Sequence, residues 1–270
     1  MPEKTQQLKP DNQQPLPAVQ MLWISGHLST LERLSITSFL RCGHPVHLYT
    51  YGLEDSPPQG TQLFDARQIL PESCIFKNPS SIGQGSLAPF SDMFRYQLLL
   101  KRGGIWCDSD MVCLKPMTFA NTMDIFFSSE HAISTVDNKR QLTIKPNIGA
   151  IKAPVGSAII AACLDKASKV NLATAEWAAT GPGIVGDILS QHGRSDAVLL
   201  PDIFCSVPHW ELSTLIAGTR MVNPAAYAIH FWNEIWRWNF LDKDGSYDPL
   251  SIYERLKKHY LENSTRKDAS

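Results

Sequence analysis

The sequence contains no run of about eighteen apolar residues, so no stretch is suited to cross a bilayer as a helix. It also lacks charge of one dominant sign. The 25 basic and 26 acidic residues nearly cancel, which argues against a long nucleic-acid duplex as partner. Its six cysteines, at 42, 74, 107, 113, 163 and 205, include no C-x-x-C pair, and no Cys/His set at zinc spacing accompanies Cys107 and Cys113. Thiols this sparse fit a reducing, cytoplasmic compartment better than a disulfide framework. Ser25, Gly26 and Ser29 are not followed by the G-K-[ST] ending that a Walker phosphate loop requires. The acids at 241–248 lack a calcium loop's closing carboxylate, because Tyr253 stands in the twelfth position. The first twenty residues are polar and rich in Pro and Gln, without the apolar segment of a secretory signal.

What is present is an ordinary globular composition, 43% hydrophobic and 19% charged. A chain of 270 residues is close to the most that one core serves, which favours a single domain over residues 19–262. A flexible arm is expected at 1–18 and a flexible tail at 263–270, where the Asn263 sequon is read as chance. Strands are expected at 19–26 and 45–52, joined by a helix that starts at the capping-box pattern Ser29–Glu32 and stops at Gly43. That is a βαβ unit, and it points to an α/β fold with a mainly parallel sheet flanked by helices. Later strands are expected at 105–107, 125–130 and 148–154, with a polar loop between the last two. Helices are expected at 155–169, after the 180–183 turn, and at 251–262, while 198–207 and 226–236 read as extended.

The stretch 91–110, SDMFRYQLLLKRGGIWCDSD, reads as a helix capped by Ser91, a glycine stop and a short apolar strand. The strand ends on Asp108 and Asp110, which share one side of an extended backbone. Two hard carboxylates aimed at one point suit Mg²⁺ or Mn²⁺, and ligands in α/β sheets bind off the carboxyl ends of strands. Asp92 and Arg95 lie one helical turn apart. They read either as a surface ion pair or as groups aimed at a donor, Asp92 at a sugar hydroxyl and Arg95 at phosphate.

The string S-D-x-x-R-Y followed by L-L-x-x-x-G-G-I-W-x-D-x-D resembles the signature of the DXD-containing sugar transferases of glycosyltransferase family 32. It is similar also to the α1,4-galactosyltransferases and, more distantly, to glucosylating bacterial toxins. The resemblance implies a GT-A fold, dependence on Mn²⁺ or Mg²⁺, and retention of anomeric configuration. It implies base stacking by Trp23 in L-W-I-S-G, a recurrent Asp-Ala at Asp65, and an asparagine near the reacting sugar at Asn147. The T-G-P loop is matched at Gly181-Pro182, and the H-x-W-x-x-x-W ending at His230, Trp232 and Trp236. On this reading Asp108, Asp110 and His230 hold the metal, with Asp108, Asp110 and Asn147 catalytic. Trp23, Asp92, Arg95, Trp106 and Trp236 contact the donor.

The donor is expected to be a UDP-hexose, with GDP-mannose open. The acceptor is expected to be a glycan or glycolipid in bacterial lipopolysaccharide or capsule synthesis, with at most peripheral contact at the inner face of the membrane. Two alternatives stand beside this reading. D-S-D-M-V at 108–112 resembles the motif of haloacid-dehalogenase-type phosphatases, although no later G-D-x-x-x-D follows it. A non-catalytic nucleotide-sugar-binding protein is the other.

Overall fold

The computed structural model describes residues 14–81, 83–136, 139–175 and 177–262. Most of the expected N-terminal arm, and the whole 263–270 tail with Asn263, lie outside the described residues. In chain order the first half contains β1 (Val19–Gly26), α1 (Thr30–Arg41), β2 (Val46–Leu53), β3 (Gln62–Asp65), α2 (Ala88–Arg102), β4 (Gly104–Cys107) and β5 (Met111–Cys113). The second half adds β6 (Phe126–Val136), β7 (Lys139–Ala153), α3 (Ala158–Ser168), α4 (Pro182–Gln191), α5 (Ser213–Ile216), β8 (Ala228–His230), α6 (Asn233–Trp238) and α7 (Ile252–Tyr260).

Six strands form one sheet in the order β3-β2-β1-β4-β7-β6, parallel from β3 to β4 and antiparallel beyond. Alternation along the central strands divides the core into two layers. Val19, Met21, Ile105 and Cys107 face Leu31, Leu34 and Phe39 of α1 and Ile252 and Leu256 of α7. Leu22 and Trp106 face Phe94 and Leu98 of α2, Ile160 of α3, and Ile184 and Ile188 of α4. The chain runs outward from β1 to β3, then returns through α2 to place β4 on the other side of β1. A crevice therefore opens where the carboxyl ends of β1 and β4 part, the position at which open α/β sheets bind ligands.

Local sequence accounts for several boundaries. The α1 capping box is formed, with the Ser29 N–H donating to Glu32 Oε2 at 3.0 Å. Gly103 ends α2 with φ +62°, and a side chain there would come within 2.7 Å of the Val155 nitrogen.

The structure corrects four expectations. Helix α2 begins at Ala88 with Pro89 in its first turn, so Ser91 lies inside the helix and does not cap it. The polar loop expected between 130 and 148 is a long antiparallel hairpin, with His131 opposite Ile144 and Ile133 opposite Leu142. Its polar composition hid the pairing, because both faces of its outer part are largely exposed. Residues 198–207 hold only an isolated bridge at Val198 and a short 3₁₀ turn at Pro201–Ile203. Of 226–236, only β8 is extended; α6 follows through Trp232, whose left-handed φ of +56° turns the chain.

Candidate active site

Asp108 and Asp110 do not share a pleat as expected. They flank a turn in which the Met111 N–H donates to the Asp108 carbonyl at 3.1 Å. The turn leads from β4 into β5, and β5 pairs antiparallel with β8, setting Met111 opposite His230. The Phe231 N–H donates to the Asp110 carbonyl at 3.0 Å, which locks the end of the chain to the turn. As a result one donor atom each from Asp108, Asp110 and His230 lies within 4.8 Å of the others. Two carboxylate oxygens and an imidazole nitrogen make a fitting donor set for Mn²⁺ or Mg²⁺.

Each ligand is braced from behind. Asp110 accepts from the Asn233 N–H at the start of α6 (2.6 Å) and lies 3.3 Å from His230 Nε2. Burial opposes its charge, but the His230 imidazole and the Asn233 N–H outweigh that and hold its carboxyl below the usual range. Burial likewise opposes protonation of His230, yet the adjacent Asp110 raises its pKa well above the ordinary value. Its ring stacks on Trp232 at 4.0 Å, and Trp232 Nε1 donates to the Val207 carbonyl at 2.9 Å. Asp108 accepts from Trp106 Nε1 at 2.8 Å and pairs with Arg95 at 3.0 Å. Burial, opposed by Arg95, raises its pKa to about 6.

Asp92 and Arg95 are not a surface pair; their side chains are 8% and 5% exposed. The Arg95 guanidinium lies 4.9 Å over the Trp106 ring and donates to the Ile148 carbonyl (2.6 Å) and Ser91 Oγ (3.0 Å). Arg95 lines the cleft with its nitrogens paired to Asp108, Asp92 and these oxygens, so it braces the Asp108 turn from behind. Asp92 also accepts from Thr180 Oγ1 at 2.6 Å. This explains the T-G-P loop: a side chain at Gly181 would meet Asp92 Oδ2 at 2.9 Å and Ile148 at 2.6 Å.

These residues line a cleft of about 520 Å³, together with Trp23, Trp106 and Asn147. Trp23 Nε1 finds no hydrogen-bond partner among the described residues, and Lys243 lies 5.3 Å from its ring. Asn147 Oδ1 accepts from the Gly149 N–H (2.7 Å), and its Nδ2 donates to Glu130 (3.2 Å). Trp236 is a correction. It is 1% exposed, turned away from the cleft, and packs against Tyr247 and Tyr253. Asp65 is also elsewhere, capping the 3₁₀ turn at Ala66–Gln68 by accepting from the Arg67 N–H.

Sequence reasoning missed Glu130, Trp177 and Trp238. The last two meet edge-to-face at 5.0 Å at the rim of the cleft. Arg237 donates to the Gln84 carbonyl (3.2 Å), so two loops and α6 close one rim. No local pattern links residues 84, 177 and 238. The one signal is backbone strain in Ala178 and Trp232, both non-glycine residues at positive φ.

Residues 72–130 match the family described as "Glycosyltransferase sugar-binding region containing DXD motif". No curated protein matches the chain. Among solved structures it is similar to the PaToxG glycosyltransferase, at 19% identity over 66% of this chain and 71% of that one, with a TM-score of 0.43. It is similar to the apo glycosyltransferase GlyE of Streptococcus pneumoniae TIGR4, at 12% identity over 92% and 64%, with a TM-score of 0.42. The apo structure of the bifunctional glycosyltransferase WbbM is similar at 12% identity over 91% and 50%, with a TM-score of 0.49. The chain thus spans half the length of WbbM and less than two thirds of GlyE.

The mostly parallel six-stranded sheet flanked by helices, with Asp108-x-Asp110 after β4, is the α/β architecture expected of a GT-A fold. The matched segment contains Asp108-x-Asp110, so residues 72–130 resemble the DXD-containing sugar-binding region of glycosyltransferases.

Proposed function

We propose that this chain transfers a hexose from a nucleotide-sugar to a glycan or glycolipid, with retention of configuration and dependence on Mn²⁺ or Mg²⁺. The observation that carries the reading is the convergence of Asp108, Asp110 and His230 in a cleft large enough for such a donor. These three residues would hold the cation. When bound, it offsets the charge that develops on a departing diphosphate.

The remaining roles belong to the chain itself. Trp23, which lines the cleft, offers its indole face to the base. Asp92, fixed by Thr180 and Arg95, accepts from a sugar hydroxyl. Arg95 and Trp106 hold Asp108 in register. Asn147, pinned by Gly149 and Glu130, positions the sugar or the incoming hydroxyl. The acceptor hydroxyl attacks on the face from which the diphosphate leaves, and a leaving phosphate oxygen takes its proton. UDP-hexoses are the favoured donors, with GDP-mannose the other candidate. The setting is bacterial lipopolysaccharide or capsule synthesis in the cytoplasm, at most peripheral to the membrane; no described helix is long and apolar enough to cross one.

The test is a panel of UDP-galactose, UDP-glucose, UDP-N-acetylglucosamine and GDP-mannose with Mn²⁺, scored by thermal shift and donor hydrolysis. Asp110→Asn is expected to lose metal-dependent turnover with an unchanged circular dichroism spectrum. Full turnover by that variant would refute the metal role.

A further inference from the structure

Beside the catalytic cleft lies a second groove of about 660 Å³, formed by one face of the β6–β7 hairpin and the segment around Trp210. Directly opposed residues of an antiparallel pair share a face, so His131 and Ile144 point the same way as Ile133 and Leu142. The three aliphatic members of this set are 48–65% exposed, an unusual cost for aliphatic side chains clustered on one face. Across the groove stands Trp210, 41% exposed, with Arg220 held near it by Glu211.

The groove and the cleft share a thin wall. Strand alternation at Glu130-His131 sends one side chain to the cleft and the next to the groove. Pro208 and His209 do the same on the opposite side. A line of rings crosses this wall: His230 on Trp232 (4.0 Å), Trp232 to His209 (5.8 Å), and His209 to Trp210 (5.0 Å). A molecule with one end in the cleft that reaches over this wall meets Ile133, Leu142 and Trp210 in a groove of mixed lining.

We infer that this groove receives the apolar portion of an amphipathic acceptor whose sugar end reaches the cleft, which rests on the transferase reading and narrows its acceptor to a glycolipid. Ile133, Leu142 and Trp210 contact the tail, while Arg140, opposite Thr135, lines the end of the groove farther from Glu130. A concave, two-walled site next to the cleft fits one chain better than a flat lipid surface does.

The test compares methyl and octyl β-glucoside, and methyl and octyl β-galactoside. Binding is measured calorimetrically below micelle formation with Mn²⁺ and UDP present. Two buried methylenes suffice for about a tenfold gain, so at least one octyl compound is expected to bind about tenfold tighter than its methyl partner. Leu142→Ser and Trp210→Ala change exposed side chains and are expected to fold normally, to abolish that preference and to leave Mn²⁺·UDP affinity unchanged. Equal binding of methyl and octyl compounds, or an undiminished preference in both variants, would overturn the inference. Leu142-dependent binding to anionic phospholipid vesicles without an octyl preference would also overturn it, in favour of membrane docking. Failure of the transferase reading shows separately, as loss of donor hydrolysis in the wild type.

Discussion

Replacing Arg95 by Met removes the cation that serves the buried Asp92 and the partly buried Asp108. The Arg95 side chain is 5% exposed and that of Asp92 8%, so solvent screening offers little relief to Asp92 and more to Asp108, which is 23% exposed. Breaking a buried ion pair by deleting one partner costs about 3–5 kcal/mol. At about 2–4 °C per kcal/mol for a domain of this size, a loss of ~4 kcal/mol lowers Tm by roughly 8–16 °C. Arg95→Lys keeps the charge but loses the fork that reaches Asp108, the Ile148 carbonyl and Ser91 together, so an intermediate loss is expected. A second consequence follows at the site. The Asp108 carboxyl, raised by burial to about 6 with Arg95 opposing the rise, goes higher still when Arg95 is absent. In Arg95→Met the metal then competes with a proton at neutral pH, and Mn²⁺·UDP affinity should fall and recover as pH increases. Calorimetric titration between about pH 6.5 and 8.5 reads this directly, because the ordinary carboxylate lies far below that window. Wild-type melting and wild-type affinity throughout would refute the assignment. A loss that persists undiminished at high pH would instead place Arg95 on the donor phosphates.

Gly181→Ala puts a methyl group within 2.9 Å of Asp92 Oδ2 and 2.6 Å of Ile148, and overpacking of this kind costs about 1–3 kcal/mol in a denaturant titration. His44 is a buried neutral imidazole, joined through Nδ1 to the Pro17 carbonyl at 2.9 Å and accepting the Met117 N–H at Nε2 (3.0 Å). Burial lowers its pKa, with the Pro17 contact opposing, so the unfolded chain binds the proton more readily and stability falls as pH drops below about 6.5. Melting curves from about pH 7.5 down to 5 should show this decline, and a flatter one in His44→Gln. Trp238→Ala opens the rim formed with Trp177 and should raise the donor KM about three- to tenfold, for the loss of ~1 kcal/mol of ring contact. An unchanged KM would exclude the rim from donor binding.

Local chemistry set much of this molecule before any long-range contact formed. The capping box at Ser29–Glu32, the glycines after α2, and the apolar run of β1 each specify an element through interactions a few residues apart. The chemistry of Asp108-x-Asp110 was legible in the same way, because a strand that ends on two carboxylates needs no partner to declare its donor type. Sequence reasoning erred where backbone direction rather than residue type decides the outcome. Trp232 and Trp236 look alike as letters, yet the left-handed turn at Trp232 lays that ring on His230 and drives Trp236 into the core. Arg95 reads from sequence as a phosphate contact, and only the fold shows its four partners from α2, β7 and the turn after β4.

The types of residue suited to hold a metal and a nucleotide were thus written in short stretches of chain. Their meeting follows from no local pattern; the family resemblance grouped Asp108, Asp110 and His230, but the contact itself depends on closing β5 against β8 across more than a hundred residues and on folding the Thr180 loop onto Asp92. Such contacts repay their loop-closure entropy only when the two core layers are complete. The tertiary structure therefore decided that Asp108, Asp110 and His230 form one centre.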